Sequence, residues 1–169
     1  VDIATWEQGF GRNPAQEFAS KMMSCFPYLQ MHNTFSQLAL MRQVKDREEI
    51  ELHREACRIT TEGVRNILAH LHPDMYEYEI EAHFDYTLKA NHARHAFGTI
   101  AASGPNACVL HYMKNDRKMQ DGDMILFDLG AEYGYYASDV SRTFPVNGHF
   151  TPQQKDLYNV VLKGLEAAI

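Results

Sequence analysis

The stretch DMILFDLGAEYGYYASDVSRTFPV, residues 123–146, decides the fold. Apolar residues alternate along it, and Gly134 interrupts it near the middle. The pattern predicts two long paired strands, 123–133 and 135–146, turning at Tyr133-Gly134. Ile125, Phe127, Leu129, Tyr136 and Val140 then form one apolar face. Asp128, with Leu126 and Gly130, stands on the other, across from Ala137 and Ser141. This register sets Asp128 directly opposite Asp139, with Cβ atoms about 4.5–5.5 Å apart. Two carboxylates at that distance repel, and a cation between them reverses the sign. The small neighbours Gly130, Ala137 and Ser141 leave room for one. Carboxylate oxygens suit a divalent ion such as Mn or Mg, with Zn or Co if a histidine joins. The competing interpretation is a pair of solvent-facing strand aspartates. A one-residue slip would put them on opposite faces, and Tyr-Gly is not the favoured two-residue turn.

Upstream, Asp46 and Glu49 read as a capping pair that opens a helix of roughly seven turns. Ile50, Cys57, Val64 and Leu71, with Ile67 and Leu68, mark its inner side. Pro73 closes it. Asp74 and Glu77 repeat the capping signal before a helix running to about Ala90, with Tyr76, Ile80, Phe84 and Leu88 on one face. Residues 97–103 and 107–112 read as short strands around the turn at Gly104-Pro105-Asn106. Thr151-Pro152-Gln153-Gln154 opens a last helix with Leu157, Val160, Val161, Leu165 and Ala168 inward. Residues 1–44, with a Gly-Phe-Gly run at 9–11, read as one or two short helices or a linker. The order helix, helix, four strands, helix gives an α+β class.

The 169 residues suit one ordinary domain, or a domain with a remnant of another, and the 45% hydrophobic content supports a core. A net charge of −6 argues against binding that leans on phosphate neutralisation, so no nucleic acid is expected. No apolar run reaches spanning length, so no membrane is expected either. Cys25, Cys57 and Cys108 form no paired pattern, which points to a reducing compartment, cytoplasmic with mitochondrial left open. A first residue of Val rather than Met suggests processing or a piece of something longer.

Other candidates are weaker. His111, near the end of the 107–112 strand, could be a proton donor, a substrate ligand or a metal ligand, or a half-buried structural histidine. His92 and His95 could share a metal, but no Cys or carboxylate completes a known spacing. With His70, His72 and His83 they read as surface residues. Cys108 lies three residues from His111, so a strand would point them apart, and Cys108 reads as a small buried hydrophobe. Arg142 shares the parity of Val140, away from the aspartates, and reads as one side of a structural ion pair. The glycines near residue 10 lack the context of a phosphate loop.

Longer motifs resemble a known family. Thr99-Ile100-Ala101-Ala102-Ser103-Gly104-Pro105-Asn106, Leu110-His111-Tyr112, Asp121-Gly122-Asp123 and Asp128-Leu129-Gly130-Ala131 are similar to the Xaa-Pro peptidases. Tyr136 through Gly148 continues the likeness, and Phe150 with Tyr158 extends it. Met41-Arg42, Lys45-Asp46 and Glu49-Ile50 resemble the start of that family's catalytic domain, and the aminopeptidase P branch is the nearest in pattern.

The resemblance implies the first half, residues 41–169, of a pita-bread fold, helices on a mainly antiparallel sheet around two divalent metal ions. Residues 1–40 would be the tail of a preceding domain or a linker. It implies Asp128 and Asp139 as metal ligands, the second bridging both ions, and His111 beside the scissile bond. The implied activity is release of the N-terminal residue from peptides with proline in second place, usually with Mn, Zn or Co being alternatives. The family's remaining ligands, one His and two Glu, come from the second half of its domain. The chain is therefore expected to be a slice, inactive alone, that pairs with itself as a homo-oligomer or with a complementary C-terminal half. A dipeptide-specific prolidase and a non-catalytic peptidase-like binding module are the alternatives.

Overall fold

A computed structural model describes residues 14–169. The Gly-Phe-Gly run lies outside them. The chain divides into two compact units, one up to Arg47 and one from Glu48 onward. The first holds α1 (Pro14–Cys25) and α2 (Phe35–Gln43), two short helices, one of the alternatives left open there.

The second unit begins with α3 (Arg47–His70) and α4 (Glu77–Ala90). Six short antiparallel strands follow: β1 (Arg94–His95), β2 (Ile100–Ser103), β3 (Met124–Leu129), β4 (Ala131–Tyr133), β5 (Tyr136–Ala137) and β6 (Val140–Pro145). They make two sheets, ordered β1-β4-β5 and β2-β3-β6. Helix α5 (Pro152–Ala168) closes the chain, with the Thr151 hydroxyl accepting from the Gln154 amide and Gln154 Oε1 accepting from the Thr151 amide. The α+β class holds. Ile125, Phe127 and Leu129 from one face of β3 meet Ile59, Ile67, Ile80, Phe84 and Leu88 from the helices. A smaller cluster of Ile100, Ala102 and Tyr112, with Leu126, lies on the opposite face.

Several expectations need correction. The hairpin turns at Gly134-Tyr135, both at positive φ (58° and 69°), as a tight turn matching strand twist demands. The register therefore moves by two residues: Asp128 pairs with Ser141 and Glu132 with Ala137. A two-residue move preserves the facing, so Asp128 and Asp139 stay on one side. The expected strand at 107–112 does not form. Gly104, at φ +51°, turns the chain into a 3-10 helix, Gly104–Cys108, and a loop follows. The premise about Cys108 falls with that strand, and its thiol is exposed.

The buried stripe of α3 is Ala56, Ile59, Thr60, Gly63 and Ile67, while Ile50, Cys57 and Leu68 are exposed. Small residues face inward because the neighbours come close: a Cβ on Gly63 would lie 2.4 Å from the Phe84 ring. The cap of α4 is Tyr76, whose amide donates to Glu79 Oε2 at 2.5 Å. Asp74 pairs with Lys118 instead, and Glu77 turns inward. The face of α5 thought to point inward is open, with Leu157, Val160 and Val161 67, 66 and 66% exposed. His83 and His95 are half-buried rather than superficial.

Candidate functional site

Asp128, Asp139 and His111 line one cleft of about 330 Å³, walled by Phe97, Gly98, Ile100 and Met113. The three residues singled out from sequence are thus brought together. Each arrives by a different local device.

Asp128 projects from β3 on the face away from the main core, half-buried, and accepts a hydrogen bond from the Ser141 hydroxyl at 3.0 Å. Continuing the observed register places Asp139 against Gly130, diagonal to Asp128. Diagonal neighbours lie roughly 7–8 Å apart at the backbone, close enough for converging carboxylates to share cations. The glycine is required there. A Cβ on Gly130 would lie 1.9 Å from the Ser138 carbonyl oxygen, so any other residue would push Ser138 and Asp139 outward.

Ser138 is itself pinned. Its hydroxyl lies 2.6 Å from the Thr60 hydroxyl and bonds the Ala131 and Ala56 carbonyls. The Ala131 amide donates to Thr60 Oγ1 at 2.8 Å, and the Ser138 amide to the Ala131 carbonyl. This buried knot joins α3 to the break between β3 and β4, and between β5 and β6, where Asp139 emerges.

His111 sits exposed on the loop after the 3-10 helix, at φ +53°. The loop is tied to α4 through buried side chains. Asn115 caps the edge of β2, accepting from the Ala101 amide and donating to the Thr99 carbonyl. Tyr112, next to His111, donates to Glu77 Oε2 at 2.8 Å. Burial, reinforced by the Glu77 carboxylate, pushes the Tyr112 phenol up to about 12. Met113 packs over Gly98, whose added Cβ would meet its methyl at 2.3 Å.

The donor set fits a hard divalent ion held along one edge by two carboxylates. Among the described residues no group of three His, Cys, Asp or Glu is arranged to hold a metal, and His111 lines the same cleft as the two carboxylates. No third ligand completes the His92–His95 pair among the described residues. His95 instead bridges Asp85 and the Thr99 hydroxyl. Arg142 donates to the Ser141 carbonyl, and among the described residues it makes no ion pair of the kind expected. Sequence reasoning missed Thr60, Ser138, Glu77 and Asn115 as supports. Thr60 and Glu77 were detectable, since each falls on the apolar stripe of its own helix.

The sequence pattern described as metallopeptidase family M24 matches residues 51–169. A Haemophilus influenzae protein named Xaa-Pro aminopeptidase is 42% identical over 133 residues, 78% of this chain and 31% of that protein. A human protein named Xaa-Pro dipeptidase is 40% identical over 134 residues, 76% of this chain and 27% of that protein. The structure of zinc-substituted Escherichia coli aminopeptidase P in complex with product superposes with a TM-score of 0.85 at 33% identity, over 99% of this chain and 39% of that one. The chain thus spans about a third of the length of these relatives.

Proposed function

The chain belongs to metallopeptidase family M24, and from that premise we propose that it is part of an aminopeptidase acting on peptides with proline in second place. The observation that carries this reading is the meeting of Asp128, Asp139 and His111 in one cleft. Asp128 and Asp139 would hold two divalent ions, which supply an activated water and polarise the carbonyl. Mn is our choice, on the all-oxygen donor pair. His111, exposed at the cleft, would hold or pass a proton at the scissile amide as the tetrahedral state forms and collapses. Phe97, Ile100 and Met113 give the cleft an apolar wall. Ser141 steadies Asp128, and the Ser138 knot fixes Asp139 against Gly130.

Residues 1–40 we assign to a preceding domain or linker, and a reducing, cytoplasmic location suits three free thiols. The test is an assay with Mn on the full-length protein carrying these residues. Tripeptides of the form Xaa-Pro-Xaa are cleaved before proline, and Asp139→Asn or His111→Ala loses most of the rate. Equal turnover in both variants would defeat the proposal. The human dipeptidase relative supports a second reading, and turnover of Xaa-Pro dipeptides alone would select it.

A further inference from the structure

Glu77 is the first residue of α4, its carboxylate is completely buried, and among the described residues it makes no ion pair. A buried carboxyl group in that setting must be hydrogen-bonded throughout. Oε1 accepts from the Ser103 amide and hydroxyl, each at 2.7 Å. Oε2 accepts from the Tyr112 hydroxyl at 2.8 Å and the Arg117 amide at 3.0 Å. Asn106 Nδ2 reaches both oxygens, at 3.2 and 3.3 Å, and also the Tyr112 hydroxyl at 2.9 Å. These donors come from both ends of one loop. Ser103 and Asn106 precede His111, and Tyr112 and Arg117 follow it. One side chain therefore closes the loop at its base and leaves His111 at the exposed end.

We propose that Glu77 is the positioning residue for His111, acting through the Tyr112 hydroxyl and the loop ends it gathers. The geometry demands an acceptor with two oxygens. A glutamine would turn an amide N–H₂ toward one set of donors, and the Arg117 amide or the Ser103 amide would lose its partner. Tyr112 is the direct link because it is adjacent to His111, so its hydroxyl bond fixes the direction in which His111 leaves the backbone. The arrangement makes the loop rigid without a strand, which explains why no sheet pairing is needed there.

The inference rests on His111 as a site residue, but its test does not need turnover. Histidine-labelled NMR on the 169-residue, metal-free chain follows the His111 ring directly, with the other histidines as internal controls. In Tyr112→Phe the core keeps its shape, and the His111 resonance is expected to move or broaden more than any other histidine's. Amide exchange at Ser103 and Arg117, whose N–H groups donate to Glu77, should rise roughly five- to tenfold, the loss of about one net hydrogen bond. Glu77→Gln should do the same more strongly. If it does not fold, Tyr112→Phe decides alone. A folded Tyr112→Phe with unmoved His111 resonance and unchanged exchange overturns the proposal, even if its melting temperature falls. Failure of the peptidase reading would look different: His111→Ala would retain turnover in the full-length protein while the NMR result stood.

Discussion

At the scale of single residues, the proposed metal role implies that Asp128 and Asp139 are placed for a cation and not for stability. Removing one carboxylate should relieve repulsion in the metal-free chain. Asp139→Asn is expected to be as stable as the parent or more so, by up to about 1 kcal/mol, and to lose any stabilisation on adding Mn. Thermal unfolding with and without the metal measures both effects. Thr60 is the contrasting case. Its hydroxyl is shared by Ser138 and the Ala131 amide, so Thr60→Val should cost about 1–3 kcal/mol in urea unfolding, while Thr60→Ser should restore most of it. Burial, then the His70 ring stacked at 4.3 Å, holds His83 below its ordinary 6.5, with Glu79 opposing. The unfolded chain then binds more protons between the folded value and 6.5. Stability from this group is complete above that window and is lost as pH falls through it. The urea midpoint should drop on acidification below 6.5, and His83→Asn should flatten that part of the profile. The shared cleft of the candidates Asp128, Asp139 and His111 was legible in the sequence, because each had a chemical reason to be singled out. Glu77 was mistaken for a cap because its helix begins there, although its spacing to Ile80, Phe84 and Leu88 already set it on the inner stripe.

At the scale of elements, the hairpin carries the account. Its apolar face was readable from alternation, and its register was not, because a Gly134-Tyr135 turn requires a tyrosine at positive φ, which propensity disfavours. Arg94, 5.3 Å over the Tyr135 ring and paired with Glu132, helps hold that turn. The break at Gly130 was equally hidden, since a close approach between backbones leaves only a glycine as its trace. Gly130→Ala should cost about 3 kcal/mol or more, because the obstructing atom is backbone and cannot swing away. Denaturant unfolding checks the figure, and Gly164→Ala, with open space around it, is the control. The 107–112 segment misled for a related reason. Its apolar residues suggest a strand, but Glu77 and Asn115 take up the backbone donors a neighbouring strand would have bonded.

At the scale of the molecule, the outer face of α5 is an apolar surface without cover among the described residues. Leu157, Val161, Leu162 and Leu165 of α5 form a groove of about 580 Å³ with Ser141, Arg142 and Thr143 of β6. The sequence pattern marked this helix face as buried, and within residues 14–169 nothing buries it. The isolated chain is expected to self-associate through it, and light scattering should show a shift toward monomer in Leu157→Glu/Val161→Glu. The central claim is narrower than any of this: Asp128 and Asp139 together form one edge of a divalent-metal site. Titration of the chain with Mn, followed by the electron paramagnetic resonance of the free ion, tests it most directly. The account predicts binding by the parent chain that either Asp128→Asn or Asp139→Asn abolishes. Equal Mn uptake by the parent and both variants would contradict it.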